Sequence, residues 1–281
     1  MINKIKEASR RIRRSVAQRG GRNAIANIVR RIRTGNFSFS PAQPLFLDGT
    51  HPFDRATGLD TGGFIHGSQL KTGHPFDLYT VSYYGSAPSL VQAVLDRWIE
   101  TPPIRSIEQY TFIDFGSGKG RVVLLASKLP FRSCIGVELN PGLHMIAIEN
   151  MKHWQQLGSA ASPVQSICQE ATEFQFPLTP CLVYLFNPFT SKVLARLLDH
   201  ISEAFANRPG ELDLLYVNAE FDYLLEQRPG FARLWEMPIE MSAEDAAADL
   251  LHMVDESAKF QDGKQRQEPC SGWRWVGKSR E

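Results

Sequence analysis

Cysteine is scarce in this chain. The four residues Cys134, Cys168, Cys181 and Cys270 form no CxxC pair and follow no zinc-ligand spacing. A disulfide scaffold and a zinc module are therefore excluded as the basis of the fold, and the expectation is small reduced cysteines in the core. Long apolar runs are missing too: none approaches the ~20 residues that span a bilayer. The seven histidines contain no H-x-x-x-H pair, so no resident metal is expected. Net charge is almost absent, at +1. Charges interrupt every apolar stretch near the start, unlike a secretory leader, and the expected location is cytoplasmic.

What is present is an ordinary globular composition, 43% hydrophobic and 22% charged over 281 residues. That length buries a sizeable core as one large domain with appendages. The charge is unevenly spread. Residues 1–35 hold eleven Lys or Arg against the single Glu7, a balance of +10 that leaves −9 for the remainder. Ile2, Ile5, Ile12 and Val16, and then Ile25, Ile28, Val29 and Ile32, repeat at helical spacing around Gly20 and Gly21. Two short basic amphipathic helices are expected in this arm. Besides a solvated extension, its readings are contact with an anionic membrane surface, a protein partner or oligomer, or nucleic acid. Its Arg-rich, acid-poor pattern also resembles a mitochondrial transit peptide. Peripheral membrane or partner contact ranks first. Nucleic acid is not favoured, because interleaved stacking aromatics are missing.

Residues 36–85 are rich in Gly, Pro, His and aromatics and read as an irregular cap that shapes a substrate pocket. His51 and His74, in two HPFD stretches, are expected at the surface or as helix caps. From residue 86 the pattern becomes regular. Ser86 to Trp98 reads as a helix with Ser86 as cap and Pro88 in its first turn. Near-continuous apolar strands (YTFIDF, SCIGVEL, CLVYLF, LDLLYVN) then alternate with amphipathic helices. Such an α/β pattern indicates a mostly parallel sheet covered on both faces. LWEMPIE and WRWVG are candidates for its last strands, and an acidic helix is expected near 243–254. The expected organisation is an arm over 1–35, a cap over 36–85 and one domain over 86–281.

The stretch 112-FIDFGSGKGR-121 is the most informative. Three glycines in ten residues cost backbone entropy, so the turn between the strand ending at Asp114 and the helix from Arg121 must approach something closely. A P-loop needs GxxxxGK followed by Ser or Thr, which is absent. A dinucleotide fingerprint GxGxxG fits from Gly116 and Gly118, but its third position falls on Arg121. A tight connection without ligand is the plain alternative.

DFGSGKG resembles motif I, D/E-x-G-x-G-x-G, of the class I S-adenosylmethionine-dependent methyltransferases. The strand SCIGVELNP ends in Glu138, where that family carries an acid for both ribose hydroxyls; the two oxygens of a carboxylate match a cis-diol. The ELNP stretch and YGSA at 84–87 resemble a lysine methyltransferase subgroup. QEATEF resembles the family's GDA-type adenine segment, with Glu170 at the matching position. NPF at 187–189 resembles the N/D-P-P-Y/F motif of amino-group methyltransferases, short of one proline. The resemblance covers about residues 83–220.

It implies a Rossmann-like, seven-stranded, mostly parallel sheet with a final antiparallel strand. The implied cofactor is S-adenosyl-L-methionine, held by Tyr84, Asp114, Gly116, Ser117, Gly118, Gly120, Glu138, Leu139 and Glu170. Asp114 is expected to order the glycine loop through backbone N–H groups. Arg121 faces either the cofactor carboxylate or another acid. Pro188 favours an extended backbone at Asn187, whose amide oxygen would then accept a proton from an acceptor amine. The implied activity is in-line methyl transfer to a nitrogen or oxygen of an unidentified acceptor, a protein lysine or a small molecule. The competing readings are an NAD-type oxidoreductase and a catalytically silent binding module.

Overall fold

In the computed structural model the described residues are 51–73, 81–252 and 267–277. All of them belong to one of the two compact units into which the chain divides, Phe46–Met253 with Ser257–Glu281. The expected arm helices, His74 and its HPFD stretch, and the end of the acidic helix lie outside the described residues.

Why this chain makes a parallel sheet is visible strand by strand. β3 (Thr111–Phe115), β6 (Cys181–Phe186) and β7 (Leu212–Val217) are buried on both faces almost throughout, as unbroken apolar runs require. β4 (Ser133–Glu138) and β5 (Val164–Cys168) complete the parallel part. The long strands β8 (Phe231–Glu240) and β9 (Gln267–Trp275) close the other edge. The order is β5-β4-β3-β6-β7-β9-β8, and β9 alone runs antiparallel to its neighbours β7 and β8. The expected seven-stranded, mostly parallel sheet with an antiparallel last strand is thus present, and LWEMPIE and WRWVG fall in the two strands assigned to them.

Helices cover both faces. α2 (Pro88–Glu100), α3 (Arg121–Ala126) and α4 (Pro141–Gln156) pack on Phe112, Leu182 and Leu215. α5 (Ser191–Ala204) packs on Ile113, Val183 and Leu214 on the other face. A shorter α6 (Tyr223–Glu226) lies beyond β7, and α7 (Ala243–His252) sits between β8 and β9 in the chain. Burying Asp213 is made tolerable by its partners: it accepts from Trp98 Nε1 at 2.8 Å and from Arg274 Nε at 2.7 Å, leaving no unpaired charge.

Residues 51–73 and 81–85 are less irregular than their composition suggests. α1 (Pro52–Thr57) is followed by the small antiparallel pair β1 (Phe64–Ile65) and β2 (Tyr83–Tyr84). His51 does cap α1, its Nδ1 accepting from Phe53 N at 3.1 Å, but it is 2% exposed rather than at the surface. Ser86 is not the cap of α2. Ala87 holds that place, and Asp245 of α7 accepts from Ser89 N at 2.8 Å instead. Three cysteines are buried as expected; Cys168, at the open end of β5, is exposed.

Candidate functional site

β3 is the point where the chain's strand order reverses: β4 lies on one side of it and β6 on the other. Ligands of such sheets bind outside the carboxyl ends of the strands at this point. A cavity of about 360 Å³ opens there, within the range of small-molecule sites.

Gly116 and Ser117, at the start of the glycine turn, line it. Gly116, Gly118 and Gly120 all have positive φ, 75°, 52° and 89°, a region that side chains disfavour. Their close neighbours are parts of the protein itself. A Cβ on Gly116 would lie 2.5 Å from Pro188 Cβ, and one on Gly118 would lie 2.1 Å from Tyr83 Cε2. One on Gly120 would lie 3.3 Å from Ala147 Cβ of α4. The turn is where the NPF segment, β2 and α4 converge.

Glu138 orders this turn. Its Oε2 accepts from Gly118 N at 2.7 Å and its Oε1 from Asn140 N at 2.8 Å. Each oxygen keeps acceptor capacity for one further hydroxyl. Burial raises its pKa, while the backbone N–H groups of Asn140 and Gly118 oppose that rise. The ELNP stretch has a local cause as well. Asn140 caps α4 by accepting from Leu143 N at 3.0 Å, with Pro141 at the first helical position.

Asp114 does something other than expected. It donates no order to the glycine loop; Glu138 has that task. Its carboxyl is buried against the cavity with Oδ2 unpartnered. Burial, and then the neighbouring Glu138, hold its pKa well above the usual carboxylate range. Ser117 Oγ is likewise buried, unpartnered and on the cavity. Arg121 lines the cavity, and the acid beside it is buried, not at the surface. Its Nε donates to Thr61 Oγ1 at 2.7 Å, and its Nη2 lies 3.5 Å from the buried Asp54.

Tyr84, Asp114, Gly116, Ser117, Glu138, Leu139, Glu170 and Asn187 all line the cavity. Gly118 and Gly120 lie beneath Tyr83 and Ala147 instead. Glu170 accepts from Thr172 Oγ1 beside the cavity. Tyr84 sets its ring 6.2 Å from that of Phe186; burial, and then the facing Asp249 carboxylate, push its phenol pKa far up.

Asn187 corrects the sequence reading in two ways. Its φ is 38°, left-handed rather than extended, a conformation that Asn tolerates better than most side chains. Its amide oxygen is already engaged, accepting from Tyr216 Oη at 2.8 Å, while Nδ2 donates to Glu220 Oε2 at 3.1 Å. Tyr216 Oη in turn accepts from Phe221 N at 3.3 Å, which settles the direction of the chain of bonds. Residues the sequence reading missed are Tyr83, Lys119, Tyr216 and Asn218; the last lines the cavity with φ 50°. Only Lys119 carried a signal, by its place inside the glycine turn.

The chain matches no family model and no curated protein. Its backbone has distant likenesses among solved structures. TrmN from Thermus thermophilus has 16% identity and a TM-score of 0.43, over 67% of this chain and 49% of that one; this chain spans about half its length. Magnesium protoporphyrin IX methyltransferase (ChlM) from Synechocystis PCC 6803 with bound SAM has 11% identity and a TM-score of 0.44, over 67% and 79%. Thermoplasma acidophilum 1320 has 14% identity and a TM-score of 0.45, over 79% and 93%.

Proposed function

We propose that this protein is an S-adenosylmethionine-dependent methyltransferase. The observation that carries the reading is the pairing of Glu138 with the glycine turn on one cavity wall, beside two buried polar atoms without partners, Asp114 Oδ2 and Ser117 Oγ. Buried polar atoms are rarely left unpaired in a protein without a ligand or water to meet them. These residues fit the cofactor by chemistry. Glu138 offers two acceptor oxygens for a ribose diol, Asp114 an acceptor for an ammonium group, and Glu170 a polar contact beyond β5.

When bound, the cofactor supplies an activated methyl group on a sulfonium centre. The chain's own task is then placement. Asn187, Pro188 and Phe189 follow the end of β6 at the cavity, and Tyr84 and Phe186 form an aromatic wall. Holding a nucleophile in line can supply ~7–11 kcal/mol of a barrier, so no general base is assigned. Asn187 acts as a braced positioning group.

The oxidoreductase reading fits less well. The dinucleotide fold has six parallel strands in the order 3-2-1-4-5-6, whereas here antiparallel β9 is inserted between β7 and β8. For the acceptor we favour an amine or hydroxyl of a protein or small molecule. The charged groups on the cavity are Asp114, Glu138 and Glu170 against Arg121, already engaged by Thr61; a polyphosphate chain would need available cations. Contact of residues 1–35 with an anionic membrane surface or protein partner is a separate proposal, tested by co-sedimentation with anionic vesicles.

Calorimetry with S-adenosylhomocysteine and with NAD tests the cofactor. Binding of NAD alone would reject the reading. Radiolabelled methyl transfer into a cell extract, split into protein, nucleic acid and small-molecule fractions, identifies the acceptor.

A further inference from the structure

Lys119 lies in the middle of the glycine turn, yet its side chain is 0% exposed. Its Nζ donates to Asp60 Oδ1 at 2.6 Å and to Gly62 O at 2.9 Å, and stands 5.8 Å from the centre of the Tyr83 ring. Two residues on, Arg121 is 2% exposed and reaches the same segment through Thr61 and Asp54. Asn150 of α4 closes the junction, donating to Asp60 O at 2.7 Å and Lys119 O at 3.0 Å.

Lys119 of the turn and Arg121 at the start of α3 therefore meet two anions of residues 54–60. Burying the Arg121–Asp54 pair, and the Lys119 end of the other, contributes little net stability, because desolvation offsets the attraction. What they do supply is a defined register between two segments. That register leads directly to the cavity. Thr61 O accepts from Tyr83 Oη at 2.8 Å, and the Tyr83 ring lies on Gly118. Arg121 Nη1 donates to Ser86 O at 3.1 Å. Tyr84, between these two anchors, is part of the cavity wall.

We propose that Lys119 and Arg121 are positioning residues: they clamp residues 54–62 and 83–86 onto the glycine turn, so that the Tyr84 wall stands in place before a ligand arrives. The clamp rests on the methyltransferase reading only for the identity of that ligand. A wall already ordered costs nothing to order on binding, so loosening the clamp weakens binding while the sheet stays intact.

The test is amide hydrogen exchange on the full-length, ligand-free protein, paired with S-adenosylhomocysteine calorimetry. Two variants are used, Lys119→Met and Asp60→Asn. Asp60 is 57% exposed, so Asp60→Asn folds even where an altered Lys119 does not. Exchange over 81–87 should accelerate about tenfold while β3 and β6 amides stay as in the wild type. Affinity for S-adenosylhomocysteine should fall about fivefold. Wild-type exchange over 81–87 in Asp60→Asn, equal acceleration throughout the sheet, or faster exchange with unchanged affinity would each overturn the clamp. A wild-type protein that binds no S-adenosylhomocysteine overturns the methyltransferase reading instead, and the exchange data still decide the clamp.

Discussion

The ring of Tyr83 fills the space that any side chain on Gly118 would need, with Cε2 only 2.1 Å from the position of an added Cβ. Gly118 also has φ 52° and donates its N–H to Glu138. One glycine thus joins β2, the glycine turn and the carboxyl end of β4. The glycine turn and the wall carrying Tyr84 are coupled through this one contact.

Gly118→Ala should be destabilising on two grounds. Left-handed backbone costs a non-glycine residue about 1–2 kcal/mol, and displacing a packed aromatic adds more. Urea denaturation of Gly118→Ala, alone and combined with Tyr83→Ala, separates the two. A cost that is the same in both backgrounds would assign the effect to the backbone alone.

Glu138→Ala should leave the protein folded and bind S-adenosylhomocysteine at least about tenfold more weakly, since hydrogen bonds to a charged group contribute ~1.5–3 kcal/mol each. The variant loses the ribose acceptor and the Gly118 anchor together. Unchanged affinity by calorimetry would remove Glu138 from the site.

Tyr216→Phe removes the hydroxyl that engages the Asn187 amide oxygen. Affinity for S-adenosylhomocysteine should stay at the wild-type value while methyl transfer into extract falls, by about tenfold if the amide turns away from the acceptor. Equal loss of binding and transfer would place Asn187 on the cofactor side. Thermal stability should drop too, since the hydroxyl's bonds to Asn187 and Phe221 are both lost, each at about 1 kcal/mol.

Glu268 gives a pH signature. Burial, and then the carboxylate of Asp249, push its pKa up from 4.5 to about 7. The folded state therefore holds a proton that the unfolded state releases. Stability from this group is greatest below pH 4.5 and is lost as pH rises through about 7. Glu268→Gln should stabilise the protein by about 1–3 kcal/mol at about pH 8 and by much less at about pH 5. An equal gain at both pH values, measured by urea denaturation, would contradict the burial of an ionised carboxyl.

Much of the architecture was legible because its signals are local. The apolar runs of β3, β6 and β7 stay buried on both faces, and Asn140 with Pro141 starts α4 by capping chemistry alone. The start of α2 was read one residue early for the opposite reason. Asp245, which accepts from Ser89, lies 156 residues away in the chain. The buried His51 and the exposed Cys168 likewise follow from what packs beside them. No property of their immediate neighbours announces it.

The sequence by itself determined the alternation of strands and helices, the glycine turn after β3 and the acid that ends β4. These depend on periodicity, on conformational freedom and on residues within a few positions of one another. Only the tertiary structure decided what each site group faces. Asn187 lies left-handed with its amide tied to Tyr216, Asp114 is left without a partner for Oδ2, Lys119 reaches Asp60, and Arg121 at the cavity edge reaches Asp54. A charged or hydrogen-bonding side chain takes whichever partner packing brings within about 3 Å, and that partner is set by how distant segments meet.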